Sequence, residues 1–139
     1  MAIFKRRAKA TQLDSLEDLK PMIQTGQPVL LDFFQFGCGP CKVMDGIINE
    51  LAEEYSESAH IVKVNVGRVA GAVQLFKIRS TPTFVLLAPP KEKSAKAKKK
   101  AKAPQGAANP LTPRWRTSGL VKKDQLQRVL ENHGAVSAN

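Results

Sequence analysis

The run Val29-Leu30-Leu31-Asp32-Phe33-Phe34 is apolar at every position but one, the pattern of a strand covered on both faces in the middle of a sheet. From Cys41 onward, Val43, Met44, Ile47, Ile48, Leu51, Ala52 and Tyr55 return with the i, i+1, i+4, i+5 rhythm of a long amphipathic helix. A second buried strand is predicted over Ile61 to Val66, a short helix over Ala70 to Phe76 and a third strand over Thr83 to Leu87. Near the C-terminus, Trp115 to Ser118 reads as a strand and Lys122 to Asn132 as a helix, with Leu126, Val129 and Leu130 on one face. Upstream, Asp14-Ser15-Leu16-Glu17 has the form of a helix start; Leu16, Leu19 and Ile23 follow at helical spacing, and Pro21 limits or kinks that helix. Strand, helix and strand alternate. This predicts an α/β chain whose first two strands run parallel across a crossover helix.

One stretch breaks the pattern. Between Ala88 and Pro113, five prolines bracket Lys-Ala repeats with no large apolar residue before Leu111. Burial there cannot offset the entropy lost on ordering, so a flexible loop is expected. Closing a loop costs only logarithmically in its length, so the core can tolerate it. The expected organisation is a basic tail over 1–8, one domain over 9–133 interrupted by the 88–113 loop, and a tail over 134–139.

Charge follows the same division. The 139 residues hold 22 basic and 12 acidic side chains. Residues 5–9 carry four of the basic ones, and Lys91 to Lys102 carries seven lysines against the single acid Glu92. The rest of the chain balances at eleven of each sign, so any affinity for nucleic acid or another anionic partner belongs to the appendages. No aromatic is interleaved among those lysines to stack on bases, which favours a solvated, solubilising loop. No apolar run is long enough to cross a membrane, and the first residues lack the apolar centre of a signal peptide, so a cytoplasmic protein is expected.

The two cysteines, Cys38 and Cys41, stand in Gly37-Cys38-Gly39-Pro40-Cys41-Lys42, directly after the buried strand and at the start of the long helix. A helix N-terminus offers free N–H groups and the positive end of a dipole, and both favour a thiolate. An ordinary thiol with a pKa of about 8.5 is about 3% ionised at pH 7, whereas one near 7 is about half ionised. Two intervening residues let one helical turn bring the sulfurs together. Cys38, at the exposed edge, is the expected attacking thiol, and Cys41 the resolving one. Gly39 leaves room for a docking substrate, and Pro40 sits where a missing N–H is harmless. Two other uses of the pair stay open. One is half of a zinc site, for which only His60 and His133 could complete four ligands. The other is a permanent disulfide in a chain without an export signal.

Val29 to Phe34, Cys38-Gly39-Pro40-Cys41-Lys42, Lys63-Val64-Asn65-Val66, Ile78-Arg79-Ser80-Thr81-Pro82-Thr83-Phe84 and Ser118-Gly119 together resemble the thioredoxin family, over about residues 9–87 and 114–133. The resemblance implies a thioredoxin fold, a central mixed β-sheet flanked by helices, and a protein-disulfide reductase acting on disulfide-containing target proteins. It implies a monomer with a reversible Cys38–Cys41 disulfide and no bound cofactor or metal, recharged by a thioredoxin-reductase-like electron donor. By the same resemblance Pro82 is a cis proline beside the disulfide. Thr81 offers strand-like hydrogen bonds to an extended substrate, with Gly37, Gly39, Pro40 and Gly119 lining the same surface. Asp32 is a buried carboxylate that exchanges a proton with Cys41 through water, and Lys63 lies near it and moderates its shift. Read alone, Lys63 is a solvated charge at a strand edge. The chain departs from the family where Gly37 replaces a tryptophan, with Phe34 and Phe36 as partial substitutes. Gly46 replaces a helix-kinking proline, Gly67 an acid, and Lys122 a capping hydroxyl. The alternative function is a binding module in which Lys91 to Lys102 docks on nucleic acid or another anionic partner, with redox activity secondary.

Overall fold

The computed structural model of the protein describes residues 9–89 and 112–138. The basic tail, most of the lysine-rich insertion and Asn139 lie outside the described residues. The elements are β1 (Thr11–Gln12), α1 (Leu19–Gln24), β2 (Val29–Phe34), α2 (Gly39–Glu54), β3 (His60–Asn65), α3 (Ala72–Phe76), β4 (Thr83–Leu87), β5 (Trp115–Ser118) and α4 (Lys123–Asn132). The strands form one mixed sheet in the order β1-β3-β2-β4-β5. β2 runs parallel to β3 and antiparallel to β4, so the apolar run at the centre of the sequence is the centre of the sheet.

Alternation along β2 divides the core. Leu30, with Ile61, Phe84 and Leu86, faces Met44, Ile48 and Leu51 of α2 and Leu126 and Leu130 of α4. Leu31 and Phe33, with Val62, Val64 and Val85, face Leu19 of α1 and Ala72 and Phe76 of α3. Arg116 pins α3 from β5, its guanidinium donating to the carbonyls of Phe76 and Lys77 at 2.8 and 3.2 Å. These donations satisfy acceptors at a helix C-terminus.

Several elements differ from the pattern reading. β1 is absent from it, because two residues show no period. The first helical segment opens as a 3-10 turn over Leu16–Asp18 capped by Ser15, whose Oγ accepts from Glu17 N at 3.1 Å; Asp14 is not the cap. β3 ends at Asn65, where the side-chain Oδ1 accepts from Gly67 N at 2.9 Å and turns the chain. Val43, expected on the apolar face of α2, is 63% exposed. Residues 134–138, expected as a tail, pack onto the end of α2: Ala135 is buried and Ala138 N donates to Glu54 O at 2.7 Å.

The insertion joins two strands that stay paired to its base. The register runs from Thr83↔Ser118 to Leu86↔Trp115, and Arg114 N then donates to Leu86 O at 2.7 Å.

Burial separates two substitutions on α2. Ile48→Ala, at a fully buried position, is expected to lower unfolding free energy by about 2–5 kcal/mol in urea melts. Val43→Ala is expected to change it by less than about 0.5 kcal/mol, and a larger loss would show that this face is covered in solution.

Candidate active site

β2 delivers the chain to the start of α2 through a turn that ends at Cys38. Cys38 is the N-cap of α2 in an extended conformation, and its Sγ accepts from Cys41 N at 3.2 Å. A sulfur in that place takes up one of the free donors of the first turn, the interaction that favours a thiolate there. Pro40 falls in the first turn, where no N–H is required.

Cys38 and Cys41 are joined in a disulfide, with Cα atoms 5.3 Å apart. Cys38 is half-buried and Cys41 is 5% exposed, so an incoming group meets Cys38 first. The zinc reading loses its other ligands: His60 Nε2 lies 3.1 Å from Thr25 Oγ1, and His133 Nδ1 lies 2.9 Å from the carbonyl of Val129. Among the described residues, no three side chains of metal-ligating type come together.

The segment before β4 closes on the disulfide from one side. The Thr81–Pro82 peptide bond is cis, and Thr81 Oγ1 donates to Cys38 Sγ at 3.5 Å. Gly119 N donates to Pro82 O at 2.9 Å from a backbone with φ of 87°, a conformation that favours glycine. Gly37, the residue before Cys38, has φ of 83° and open space where a side chain would stand. A Cβ on Gly39 would likewise meet nothing within 4 Å.

Beneath α2, Asp32 is 2% exposed, and its Oδ1 is buried with no hydrogen-bond partner. Burial raises its pKa to about 7, the Lys63 ammonium pulling it down and the Asp45 carboxylate pushing it up. Asp32 and Lys63 are partners in the β2–β3 register, as their nearness requires. The closest contacts of Lys63 lie elsewhere: Nζ donates to Asp45 Oδ1 at 2.7 Å and stands 4.7 Å from the centroid of the Phe34 ring. Its side chain is only 15% exposed, so it is not a solvated edge charge.

Asp45 was not singled out from the sequence. Its signal was an acid four residues after Cys41, on the same side of the helix. Phe36, Cys38, Cys41, Lys42, Asp45 and Lys63 contribute to the wall of a cleft of about 490 Å³. Phe34 lies under Lys63 and is partly buried, whereas Phe36 is 84% exposed and presents its ring to solvent on the cleft that Cys38 lines.

Comparison with known proteins agrees with this geometry. The sequence model of the family described as thioredoxin matches residues 11–107. The chain is 41% identical over 59 residues to thioredoxin-1 of Drosophila melanogaster, covering 42% of this chain and 55% of the relative. It is 35% identical over 79 residues to the chloroplastic thioredoxin Y1 of Arabidopsis thaliana, covering 57% of this chain and 45% of the relative. The aligned stretch thus spans about half the length of these curated relatives. Among solved structures, Malassezia sympodialis thioredoxin superposes with a TM-score of 0.68 at 19% identity, covering 95% of this chain and 96% of that one. A mutant thioredoxin from Halobacterium salinarum gives 0.69 at 19% identity, covering 96% and 98%. The fold is the thioredoxin fold.

The buried carboxyl makes stability depend on pH. Unfolded, Asp32 titrates near 3.8; folded, it titrates at about 7. Between those values the folded state holds a proton that the unfolded state has lost, so stability falls as pH rises through this window and levels off above it. Asp32→Asn, which keeps the shape and never ionises, should be more stable than the wild type at pH about 8 by on the order of 2–4 kcal/mol, and equally stable near pH 4. Urea melts at the two pH values test this, and a difference independent of pH counts against it.

Proposed function

The chain belongs to the thioredoxin family, and we propose that it is a protein-disulfide reductase working through Cys38 and Cys41. The observation that carries this reading is the disulfide itself. It sits at the N-terminus of α2 with Cys38 accessible, Cys41 buried behind it and Thr81 alongside.

In the reduced protein, the Cys38 thiolate attacks one sulfur of a target disulfide. A Cys38–target bond forms, and the other target sulfur leaves as a thiolate that takes up a proton. Cys41 then loses its proton, by way of water, to the Asp32 carboxylate and attacks Cys38 Sγ. The Cys38–Cys41 bond forms and the target is released as a second thiolate, which is also protonated. Two electrons pass from the dithiol to the target. Burial suits Asp32 to this exchange, because a group titrating at about 7 can both accept and return a proton near neutral pH.

Thr81 and Pro82 form one wall for an extended target segment, with Gly119 holding the Pro82 carbonyl from behind. Gly37, Gly39 and Pro40 leave the approach to Cys38 open. A thioredoxin-reductase-like donor, a nicotinamide-linked flavoenzyme in the family's pattern, returns the dithiol. Such a cycle belongs in a reducing compartment, as the cytoplasm is.

A second reading concerns Lys91 to Lys102. β4 starts beside Pro82 and runs away from the disulfide, so the base of the insertion, at Ala88 and Arg114, lies about 15 Å along the strand from the site. In this reading the loop holds an anionic target and the cysteines act on it. If all seven lysines contacted phosphates, log affinity for a nucleic acid would fall with log salt at a slope of about −5 to −6. Deleting residues 91–102 would then abolish that affinity and spare the redox reaction; unchanged affinity would eliminate the reading.

Insulin reduction with dithiothreitol tests the main proposal. The wild type is expected to accelerate precipitation, and Cys38→Ser to fall to the rate of dithiothreitol alone. Cys41→Ser is expected to trap a mixed disulfide visible by mass. Equal rates for the wild type and Cys38→Ser would remove catalysis by this pair.

A further inference from the structure

We propose that Asp45 is a positioning residue: by holding the Lys63 ammonium at its own carboxylate, it keeps that charge from Asp32 and so sets the pH at which Asp32 accepts the Cys41 proton. The inference rests on the reductase reading for its consequence, but not for its test.

Lys63 is the cross-strand partner of Asp32 in a parallel register, and partners in register point to the same face of the sheet. A lysine there has two carboxylates to choose between. Its Nζ donates to Asp45 Oδ1 at 2.7 Å and lies over the Phe34 ring, while Asp32 Oδ1 is buried with no hydrogen-bond partner. The ammonium is therefore partnered on the cleft side. The Asp45 side chain is 43% exposed, so it keeps its hydration while the Lys63 side chain, at 15%, does not. Asp45 follows Cys41 by one helical turn, so α2 brings the resolving sulfur and the lysine's anchor to the same place.

The groups that face Asp32 can be named from each element. α2, which packs over this face of the sheet, supplies Asp45, and β3 supplies Lys63. β4 presents Phe84 in register, and β2 itself presents Leu30 and Phe34. Lys42, Arg68 and Asp14, all exposed, line the cleft. Lys63 and Asp45 act on the Asp32 carboxyl with opposite signs, the lysine lowering its pKa and the aspartate raising it. Removing the Asp45 charge ends one repulsion and frees the lysine to move its field onto Asp32. Both effects favour the Asp32 carboxylate, so the base that takes the Cys41 proton becomes available at lower pH.

Titration of the Asp32 side-chain carboxyl carbon, followed by NMR in the oxidised full-length chain, reads this without any substrate. Failure of the proposed activity would show in insulin reduction and leave this titration untouched. Asp45→Asn is expected to move the Asp32 midpoint down by about one pH unit, within the effect of a charge a few Å away. Lys63→Met is expected to move it up. In the Lys63→Met background, adding Asp45→Asn removes only the direct repulsion, so its shift should be smaller than in the wild type. A midpoint unmoved by Asp45→Asn, or equal shifts in the two backgrounds, would overturn the proposal.

Discussion

β2 is hydrogen-bonded on both sides and covered on both faces, and the position of the site follows from that. A strand paired to β3 and β4 at once cannot slide by one residue without turning Leu30 and Leu31 onto the wrong layers of the core. Its last residue is therefore fixed, and so are the turn after it and the first turn of α2. The same constraint buries Asp32. A carboxyl on the inner face of a central strand, 2% exposed, is withdrawn from water, so desolvation dominates its titration.

Division of labour between the sulfurs follows from where the helix begins. At the N-cap a side chain stands at the edge of the fold and meets the free N–H groups; one turn later it points inward. Cys38 and Cys41 occupy those two places, and their difference in exposure is a consequence of spacing. The cis Thr81–Pro82 segment completes the arrangement from the opposite strand: β4 is the other neighbour of β2, and its first residue is Thr83. The disulfide is thus held between the first turn of α2 and the segment that leads into β4.

Much of this was legible in the sequence because it depends on local pattern. A run of six residues apolar but for Asp32 can only be central, and a Cys-x-x-Cys between strand and helix can only fall on the first turn. The misses share a different cause. β1 has two residues and gains its identity from pairing with Val62 and Lys63, which no window of sequence contains. Val43 fits the apolar rhythm, but whether that edge of α2 is covered depends on what lies over it. Ala135 is buried by a return of the chain onto the end of α2. The partner of Lys63 was equally illegible: a long, flexible side chain chooses among carboxylates by tertiary geometry, and Asp45 is eighteen residues away.

The glycine at position 37 has a structural reason as well as a consequence. With φ of 83°, its backbone lies in the region where a Cβ is strained, so a tryptophan there would require a different turn. The space is open, so the constraint is conformational and not one of volume. This turn therefore leaves the wall beside Cys38 without an aromatic at position 37 and presents one at Phe36, 84% exposed, on the rim of the cleft. Under the proposed reaction a target meets hydrogen-bonding groups beside Thr81 and the exposed ring of Phe36 on the cleft rim. An exposed ring contributes by being covered when a partner arrives, so recognition at this site draws on apolar burial at Phe36 and on hydrogen bonding beside Thr81.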